Sequence, residues 1–206
     1  MSKRRKNTRG NPGAPQTPKP QQRFAKPTPA EQSSPRILVY ALLTVALFIG
    51  LYLHAYALPQ LTHFAGGLSM PDARLTGYDA DDISVLRGAL EHEAAGQLNF
   101  LHRTAGIIFP VAFFLATWAV FGLLVRRPWR WAVVAGAGLF AAVDITENFL
   151  IDRILTQEPL DPGMVTTAST FTVLSWGLLV ILGTLVVVAV VRDAVVRIVR
   201  PSSQNS

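Results

Sequence analysis

The chain contains no cysteine and, for its length, few charged residues. The absence of thiols from all 206 residues excludes disulfide-exchange enzymes and metal or iron–sulfur sites held by cysteine thiolates. Charged side chains make up 16% of the sequence, against about 25% in soluble globular domains. Hydrophobic residues make up 50% of it. This balance disfavours a soluble domain and indicates an integral membrane protein.

Four long apolar runs account for the hydrophobic excess. They cover about residues 37–58, 104–125, 131–151 and 170–191, and each is close to the ~20 residues that a helix needs to cross a bilayer. A soluble protein of this size would have to bury four helices of that length in one core. The sequence therefore predicts an all-α, four-helix transmembrane bundle over residues 36–195, with the lipid bilayer as its first partner.

The first 35 residues lack the large apolar side chains that a folded core requires. They are rich in Lys, Arg, Pro, Gln, Ser and Thr, so we expect a disordered, partly polyproline-like tail. Its basic cluster is typical of a topology signal with weak attraction to anionic lipid headgroups, and comprises Lys3, Arg4, Arg5, Lys6 and Arg9. No aromatic residues are interleaved with these charges for base stacking, which disfavours nucleic acid as a partner. Residues 196–206 are predicted to form a second, short tail.

Positive charge is scarce on one side of the predicted bundle. Fifteen of the 19 Lys and Arg residues fall in the amino-terminal tail, between segments two and three, or after segment four. The other four, which lie on the opposite side with most of the acids, are Arg74, Arg87, Arg103 and Arg153. The positive-inside rule then places both termini in the cytoplasm. We expect a multi-pass protein of the bacterial cytoplasmic (inner) membrane.

The predicted outer loop, residues 59–103, holds a helix of its own. After an acidic start at residues 79–82, apolar residues recur at helical spacing, namely Ile83, Leu86, Leu90 and Ala94. We expect an amphipathic helix of about four turns that lies on the outer face of the membrane and runs almost directly into segment two. Within segment two, Pro110 leaves the carbonyl of Gly106 without its helical donor, which predicts a kink.

The third segment ends in polar residues that do not belong in hydrocarbon. Asp144, Glu147 and Asn148 recur at i, i+3 and i+4, so they share one face of a helix. Ala137 and Ala141 lie on the same side in the two turns before them. An ionisable group at the centre of a bilayer costs about 2.5–3.5 kcal/mol, so this face is expected to meet protein or water.

The outer ends of the other helices offer polar groups at the same level. Segment one has His54, segment two has Asn99, His102 and Arg103, and segment four opens with a Ser/Thr run that reaches Ser175. We predict a polar pocket in the outer half of the bilayer, open to the outside. Its candidate ligand-binding residues are Asp144, Glu147, Asn148, Arg103, Asn99 and His102.

Three short motifs occur in a defined order along the chain. They are Gly77-Tyr78 before the loop helix, Phe109-Pro110 early in segment two, and Asp144-x-x-Glu147-Asn148 late in segment three. Together they resemble a family of small, functionally uncharacterised bacterial four-helix integral membrane proteins, over about residues 36–195. The resemblance implies the fold and supplies no activity. In that family an acidic residue stands where this chain has Gly106 and a lysine often stands near Ser175, which implies that a charge partner of the acidic cluster is absent here.

Several functions remain open for the polar pocket. It is a structural network if Arg103 pairs with Asp144 or Glu147 and the amide and hydroxyl groups complete the hydrogen bonds. It is a binding or transport site for a small polar or cationic ligand if a carboxyl group exchanges a proton as the ligand moves. No inverted repeat is visible, so a transporter of four helices would need to form a homo-oligomer. A further alternative is that the chain is a subunit of a larger membrane complex.

An enzymatic role would require a cofactor or an acid–base pair. Two histidines, His54 and His102, together with the two carboxylates of segment three have the makeup of a zinc or iron site. Two facing histidines could instead ligate haem, and a carboxylate pair could act on a lipid headgroup. No His-x-x-x-His or His-Glu-x-x-His spacing supports these ideas. We therefore assign no cofactor and favour ligand binding over catalysis.

Overall fold

The computed structural model describes residues 34–90 and 92–199, and this part of the chain is all-α. Its α-helices are α1 (Pro35–Leu51), α2 (Leu58–Phe64), α3 (Ala80–Ala89), α4 (His92–Arg103), α5 (Ala105–Leu124), α6 (Arg130–Thr156) and α7 (Pro162–Val199). The predictions for the basic amino-terminal tail and for the last residues, 200–206, lie outside the described residues.

Four helical stretches are long and apolar enough to cross a membrane. They cover Pro35–Phe64, Ala94–Leu124, Arg130–Thr156 and Pro162–Val199, and are called spans one to four. Each span contains one of the four apolar runs of the sequence, so the predicted four-helix membrane bundle is confirmed. The helices extend beyond the apolar runs because polar residues of adequate helix propensity continue them.

Span one is interrupted by a wider turn. Between α1 and α2, residues Tyr52–Ala57 form a π-helical turn in which the N–H of Leu58 donates to the carbonyl of Leu53. Pro59 follows and has no N–H to donate to the carbonyl one α-helical turn before it. The π-turn carries the chain past this proline. Such turns are frequent at functional sites, and this one contains His54.

The chain after span one folds back into one end of the bundle. Gly66 and Gly67 have φ angles of +66° and +92°, a conformation that favours glycine, and they turn the chain away from α2. Met70 has none of its surface exposed and Pro71 is buried. Trp176 of α7 donates its Nε1–H to the carbonyl of Asp72 at 2.9 Å. Residues 69–73 therefore enter the bundle, and we call them the cover segment.

A loop helix is present as predicted, but α3 is shorter than the predicted four turns, because it ends before Leu90. Its start explains the Gly77-Tyr78 motif. Gly77 has a φ of +85°, and a Cβ at this position would lie 2.6 Å from the Oγ of Ser169 on α7. The backbone N–H of Tyr78 donates to that same Oγ at 2.8 Å. Asp79 then caps α3 in a reciprocal capping box with Asp82. Glycine is required at position 77 because a side chain would separate the loop from α7.

The second span begins earlier than predicted. Helix α3 ends at Ala89 because Leu90 adopts an extended conformation, and α4 begins at His92. Helix α4 then leads into α5 with a break at Thr104, where φ is −115° and ψ is −90°. The interruption of the span thus lies before Pro110, which is itself inside α5.

The bundle is filled by apolar side chains at the end away from the cover segment. Spans two to four contribute the buried residues Val120, Phe121, Val133, Leu182 and Val186. On the other side, Ala46 of α1 meets Ala112 and Ala116 of α5, so these two helices approach closely. Because lipid tails are as apolar as these side chains, close packing rather than removal from water stabilises this end.

Candidate functional site

A cavity of about 40 Å³ lies between the four spans, beside the cover segment. Its polar and aromatic lining comes from every span and from the cover segment, and includes His54, Asp72, His102, Phe109, Phe140, Asp144, Glu147, Asn148, Ser175 and Trp176. One buried water requires at least ~10–15 Å³ of such space. The cavity therefore has room for a few water molecules or small ions and is too small for an organic ligand of ordinary size.

Helix α6 presents its three predicted polar residues to this cavity. Asp144, Glu147 and Asn148 all line it, as their shared helical face predicts. The Oε2 of Glu147 accepts a hydrogen bond from the hydroxyl of Ser175 at 2.5 Å. The Nδ2 of Asn148 donates to the carbonyl of Gly106 at 3.0 Å. Two of the three residues thus connect α6 to α7 and α5.

The contact of Asn148 satisfies the carbonyl that a proline leaves free. Pro110 has no N–H for the carbonyl of Gly106, four residues before it, and Asn148 supplies the missing donor. A Cβ at position 106 would lie 2.9 Å from the Nδ2 of Asn148, so only glycine permits this approach. Phe109 packs edge-on against the rings of His54 and Phe140, with centroids 5.8 and 6.2 Å away. The Phe109-Pro110 motif therefore serves both the wall of the cavity and its hydrogen bonding.

Asp144 differs from its two neighbours on α6. Its side chain lines the cavity, yet it makes no hydrogen bond or ion pair with any other residue in the described ranges 34–90 and 92–199. A carboxylate held inside a bundle of apolar helices without a partner carries a desolvation cost. The fold retains this group without using it for packing or hydrogen bonding.

His102 of α4 connects two carboxylates. Its Nε2 lies 3.0 Å from the Oδ1 of Asp72, and its Nδ1 lies 2.6 Å from the Oδ1 of Asp152 on α6. The side chain of His102 is 4% exposed, and that of each aspartate is 13% exposed. Asn99, one turn earlier on α4, donates its Nδ2–H to the Oδ2 of Asp152 at 2.6 Å. Both ring nitrogens of His102 are therefore engaged by carboxylates.

Asp72 is the contribution of the cover segment to the cavity. Its Oδ1 contacts His102, whereas its Oδ2 is buried without a hydrogen-bond partner in the described part of the chain. Burial alone would raise the pKa of Asp72, but the charge and hydrogen bond of His102 bring this pKa below its ordinary value. Asp72 is therefore ionised at neutral pH and adds a negative charge to the cavity.

Two further titratable groups anchor the loop next to the cover segment. The phenol oxygen of Tyr78 lies 3.4 Å from the Oγ1 of Thr172, and burial raises the pKa of Tyr78 far above its usual range, so the phenol stays neutral. Asp82 forms an ion pair with Arg74 at 2.8 Å. The hydrogen bond from Arg74 is the main reason that the pKa of Asp82 lies below its ordinary value.

Arg103 does not join the polar cluster. Its side chain is exposed and lines two surface grooves together with Asn99 and Asp152. The hypothesised ion pair of Arg103 with Asp144 or Glu147 is not formed among the described residues. Successive residues of an α-helix point about 100° apart, so when His102 faces the interior its neighbour faces outward. On α4 it is therefore His102 that meets carboxylates, and these are Asp72 and Asp152 rather than Asp144 or Glu147.

His54 and His102, the predicted candidates, do not form a metal or haem site in this arrangement. His54 contacts the rings of Trp176 and Phe109, with centroids 4.9 and 5.8 Å away. No group of three or more His, Cys, Asp or Glu side chains within residues 34–90 and 92–199 is placed to hold a metal ion. A haem would not fit in a cavity of about 40 Å³. The residues present do not fit either group.

Two residues of the site are absent from the sequence-based prediction. Asp152 continues the four-residue spacing of Asp144 and Asn148 along α6, so the sequence does contain a signal for it. Asp72 carries no periodic signal, because it lies in a single 3₁₀ turn, Pro71–Ala73, that tertiary contacts bring into the bundle.

Comparison of the chain with protein-family models, with curated proteins and with solved structures finds no match. The function of the cavity must therefore be inferred from its own residues, charges and dimensions.

Proposed function

We propose that this multi-pass membrane protein binds a small monovalent inorganic cation, of the size of sodium, potassium or ammonium, in the cavity beside the cover segment. The observation that carries the proposal is Asp144, whose carboxylate lines the cavity without a partner in the described residues. The buried Oδ2 of Asp72 is unpartnered as well. Buried negative charge is costly unless a positive group meets it, and a bound cation would be such a group.

The balance of charge in the cavity supports a cationic ligand. Three carboxylates line it, those of Asp72, Asp144 and Glu147, against the two imidazoles of His54 and His102. His102 is also shared with a fourth carboxylate, that of Asp152. With all three carboxyl groups ionised, the negative charges outnumber the positive ones even when both imidazoles are protonated. A cation or a proton is needed to offset the difference.

The donor set and the size of the cavity narrow the class of ligand. Carboxylate, hydroxyl and amide oxygens bind hard cations, and aromatic faces such as that of Trp176 attract positive charge. A cavity of about 40 Å³ admits such an ion with little accompanying water. Only two carboxyl groups, those of Asp144 and Asp72, are available for the ion in the described residues, which suits a singly charged cation better than a divalent metal ion held by three such ligands.

The orientation inferred from charge determines the side from which the cation would enter. With both termini in the cytoplasm of a bacterium, the loops at residues 65–79 and 157–161 lie outside the inner membrane. The cavity is at this end of the bundle, since the cover segment belongs to the first of these loops. We therefore propose that the site exchanges its ion with the extracytoplasmic side.

Thermal unfolding in detergent tests the proposal. We expect sodium, potassium or ammonium chloride to raise the melting temperature above its value in choline chloride of equal ionic strength, because an ion that binds only the native state stabilises it. Asp144→Asn should abolish this rise. The matched control is Asp81→Asn, which changes an exposed aspartate of α3 and should retain it. A wild-type melting temperature that is the same in all four salts contradicts the proposal.

A structural role for the polar residues is the second candidate, and it has support of its own. Hydrogen bonds join α6 to α7 through Glu147, to α5 through Asn148 and to α4 through Asp152. Melts without added ion test this role. If the polar residues are structural, Asn148→Ala should lose several degrees, because it removes the hydrogen bond to the carbonyl of Gly106. If Asp144 is kept for a ligand, Asp144→Asn should leave the melting temperature unchanged or raise it, because this carboxyl group has no partner in the described residues.

A further inference from the structure

We propose that Asp152, His102 and Asp72 form a proton path between an open surface groove and the small cavity between the four spans. The inference rests on the proposed cation site, for which it supplies a partner process. A proton bound by the cavity carboxylates would leave through this path when a cation enters, and would return when the cation departs.

The three side chains form an uninterrupted chain of contacts. Asp152 lies 2.6 Å from one nitrogen of His102, and Asp72 lies 3.0 Å from the other. Both separations are within the range over which a proton moves along a hydrogen bond. Because His102 is 4% exposed, these two contacts are its route of proton exchange.

The two ends of this chain open into different spaces. Asp152 lines two surface grooves, with volumes of about 1040 and 560 Å³, which also contain Asn99 and Arg103. Asp72 lines the cavity of about 40 Å³ that contains Asp144 and Glu147. The imidazole of His102 thus separates a large space in contact with solvent from a small internal one, and its two nitrogens face one carboxylate in each.

Among the described residues, no lysine or arginine shares the cavity with His102. The groups that face it or share its cavity are Asp72 from the cover segment, His54 from the π-turn, Asn99 from α4, and Asp144, Glu147 and Asp152 from α6. No Lys or Arg of the described chain lines the cavity. A proton delivered to the cavity can therefore bind only to a carboxylate or to the imidazole of His54.

The transfer balances without any additional reactant. In the starting state the Nε2–H of His102 donates to ionised Asp72, and protonated Asp152 donates to Nδ1. The O–H bond of Asp152 breaks as Nδ1–H forms, and His102 then carries the positive charge that keeps Asp72 ionised. Nε2–H breaks next, as an O–H bond forms on Asp72. One proton has then moved from the groove to the cavity, and His102 is left as the other tautomer.

The change of tautomer limits what the path can do. A second proton can follow in the same direction only after the ring has flipped or the first proton has returned. The arrangement therefore suits reversible equilibration of one proton with the cavity, as an exchange for a cation requires, rather than continuous conduction. From Asp72, the proton reaches Asp144 or Glu147 across the cavity that all three residues line.

Infrared spectroscopy after a rapid drop in pH tests the path in the full-length protein in detergent. Protonated carboxyl groups have a distinct C=O band, and the part of it that Asp144→Asn and Glu147→Gln remove reports on the cavity. We expect Asp152→Asn to slow the growth of this part by roughly 100-fold without changing its final amplitude. Asparagine retains hydrogen bonds with His102 and Asn99 but cannot pass a proton. The control Asp81→Asn should match the wild type.

His102→Gln should slow the growth of the same band. If His102→Gln does not fold, Asp152→Asn provides the test alone. Equal rates in Asp152→Asn and the wild type overturn the path, as does a wild type whose cavity carboxyl groups never become protonated. The salt-dependent melts of the same samples keep the two proposals apart. A slowed band without salt-dependent stabilisation supports the path and removes the cation site. Salt-dependent stabilisation with equal rates supports the cation site and removes the path.

Discussion

The two ends of the bundle are built from the same spans and are filled in opposite ways. At the end away from the cover segment, apolar side chains such as Phe121, Val133 and Leu182 occupy the interior. At the other end the buried residues include His102, Glu147 and Ser175, and a cavity of about 40 Å³ remains between them. We call these the closed end and the cavity end.

This difference shows where the chain departs from what stability alone would select. Apolar packing of the closed end would have been available at the cavity end too, since the same four helices continue through both. Instead, Asp144 keeps a carboxylate without a partner in the described residues, and Asp72 has a buried oxygen without one. Residues that lower stability without a compensating contact are commonly found at functional sites. The contrast can be tested by perturbing each end separately.

The largest effect is expected from Phe121→Ala, which disrupts the apolar packing of the closed end. Phe121 is fully buried and packs edge-on against Trp129, with ring centroids 5.7 Å apart. Removing the ring should lower the free energy of unfolding by about 3–5 kcal/mol, because it leaves a cavity in a close-packed region. Unfolding in mixed micelles measures the loss. The stabilisation by added cations should survive in this variant, and its disappearance would show that the two ends are not independent.

An intermediate effect is expected from Gly77→Ala, which displaces the loop beside the cavity end. The positive φ and the approach to Ser169 both oppose a side chain here, so we expect a loss of about 1–3 kcal/mol in the free energy of unfolding. Gly88→Ala is the matched control, because a Cβ at position 88 of α3 meets no atom within 4 Å. That substitution should leave stability unchanged or raise it by about 0.5–1 kcal/mol. Equal losses in both variants would contradict the proposed role of Gly77.

The smallest effect is expected from acidification acting on Asp82. Its pKa is lowered in the folded state, so its contribution to stability is complete above the ordinary carboxyl pKa of about 3.9 and is lost as pH falls through the lowered value. Because the side chain of Asp82 is 43% exposed, its ion pair with Arg74 contributes at most about 1 kcal/mol, and this contribution decreases with salt. The free energy of unfolding of the wild type and of Asp82→Asn, compared between about pH 5 and pH 2, measures it. Parallel pH profiles would show that the pair does not stabilise the loop.

Much of the fold is predictable from local patterns. The four apolar runs mark the four spans because a helix must present about 20 apolar residues to cross a bilayer. The acidic start at Asp79 and the spacing of Ile83 and Leu86 mark α3, and both apolar residues are indeed fully buried. The end of this helix is not predictable in the same way, since Leu90 fits the helical pattern and yet is extended.

The candidate site is only partly predictable, for reasons that differ between residues. The shared face of Asp144, Glu147 and Asn148 follows from helical geometry alone, and all three line the cavity. Helical geometry does not predict which of His102 and Arg103 faces the interior. That depends on the rotation of α4 about its axis, which is set by packing against the other helices.

The number and type of the membrane helices and the polar face of α6 follow from the sequence alone, because they depend on segment length and on the period of one helix. The entry of Asp72 into the bundle becomes visible only in the folded protein. So do the link that His102 makes between Asp72 and Asp152, and the contact of Asn148 with the carbonyl left free by Pro110. Each of these contacts joins residues at least thirty positions apart in the chain. Such contacts leave no periodic trace in a sequence, because they arise from the way separate helices and loops pack together.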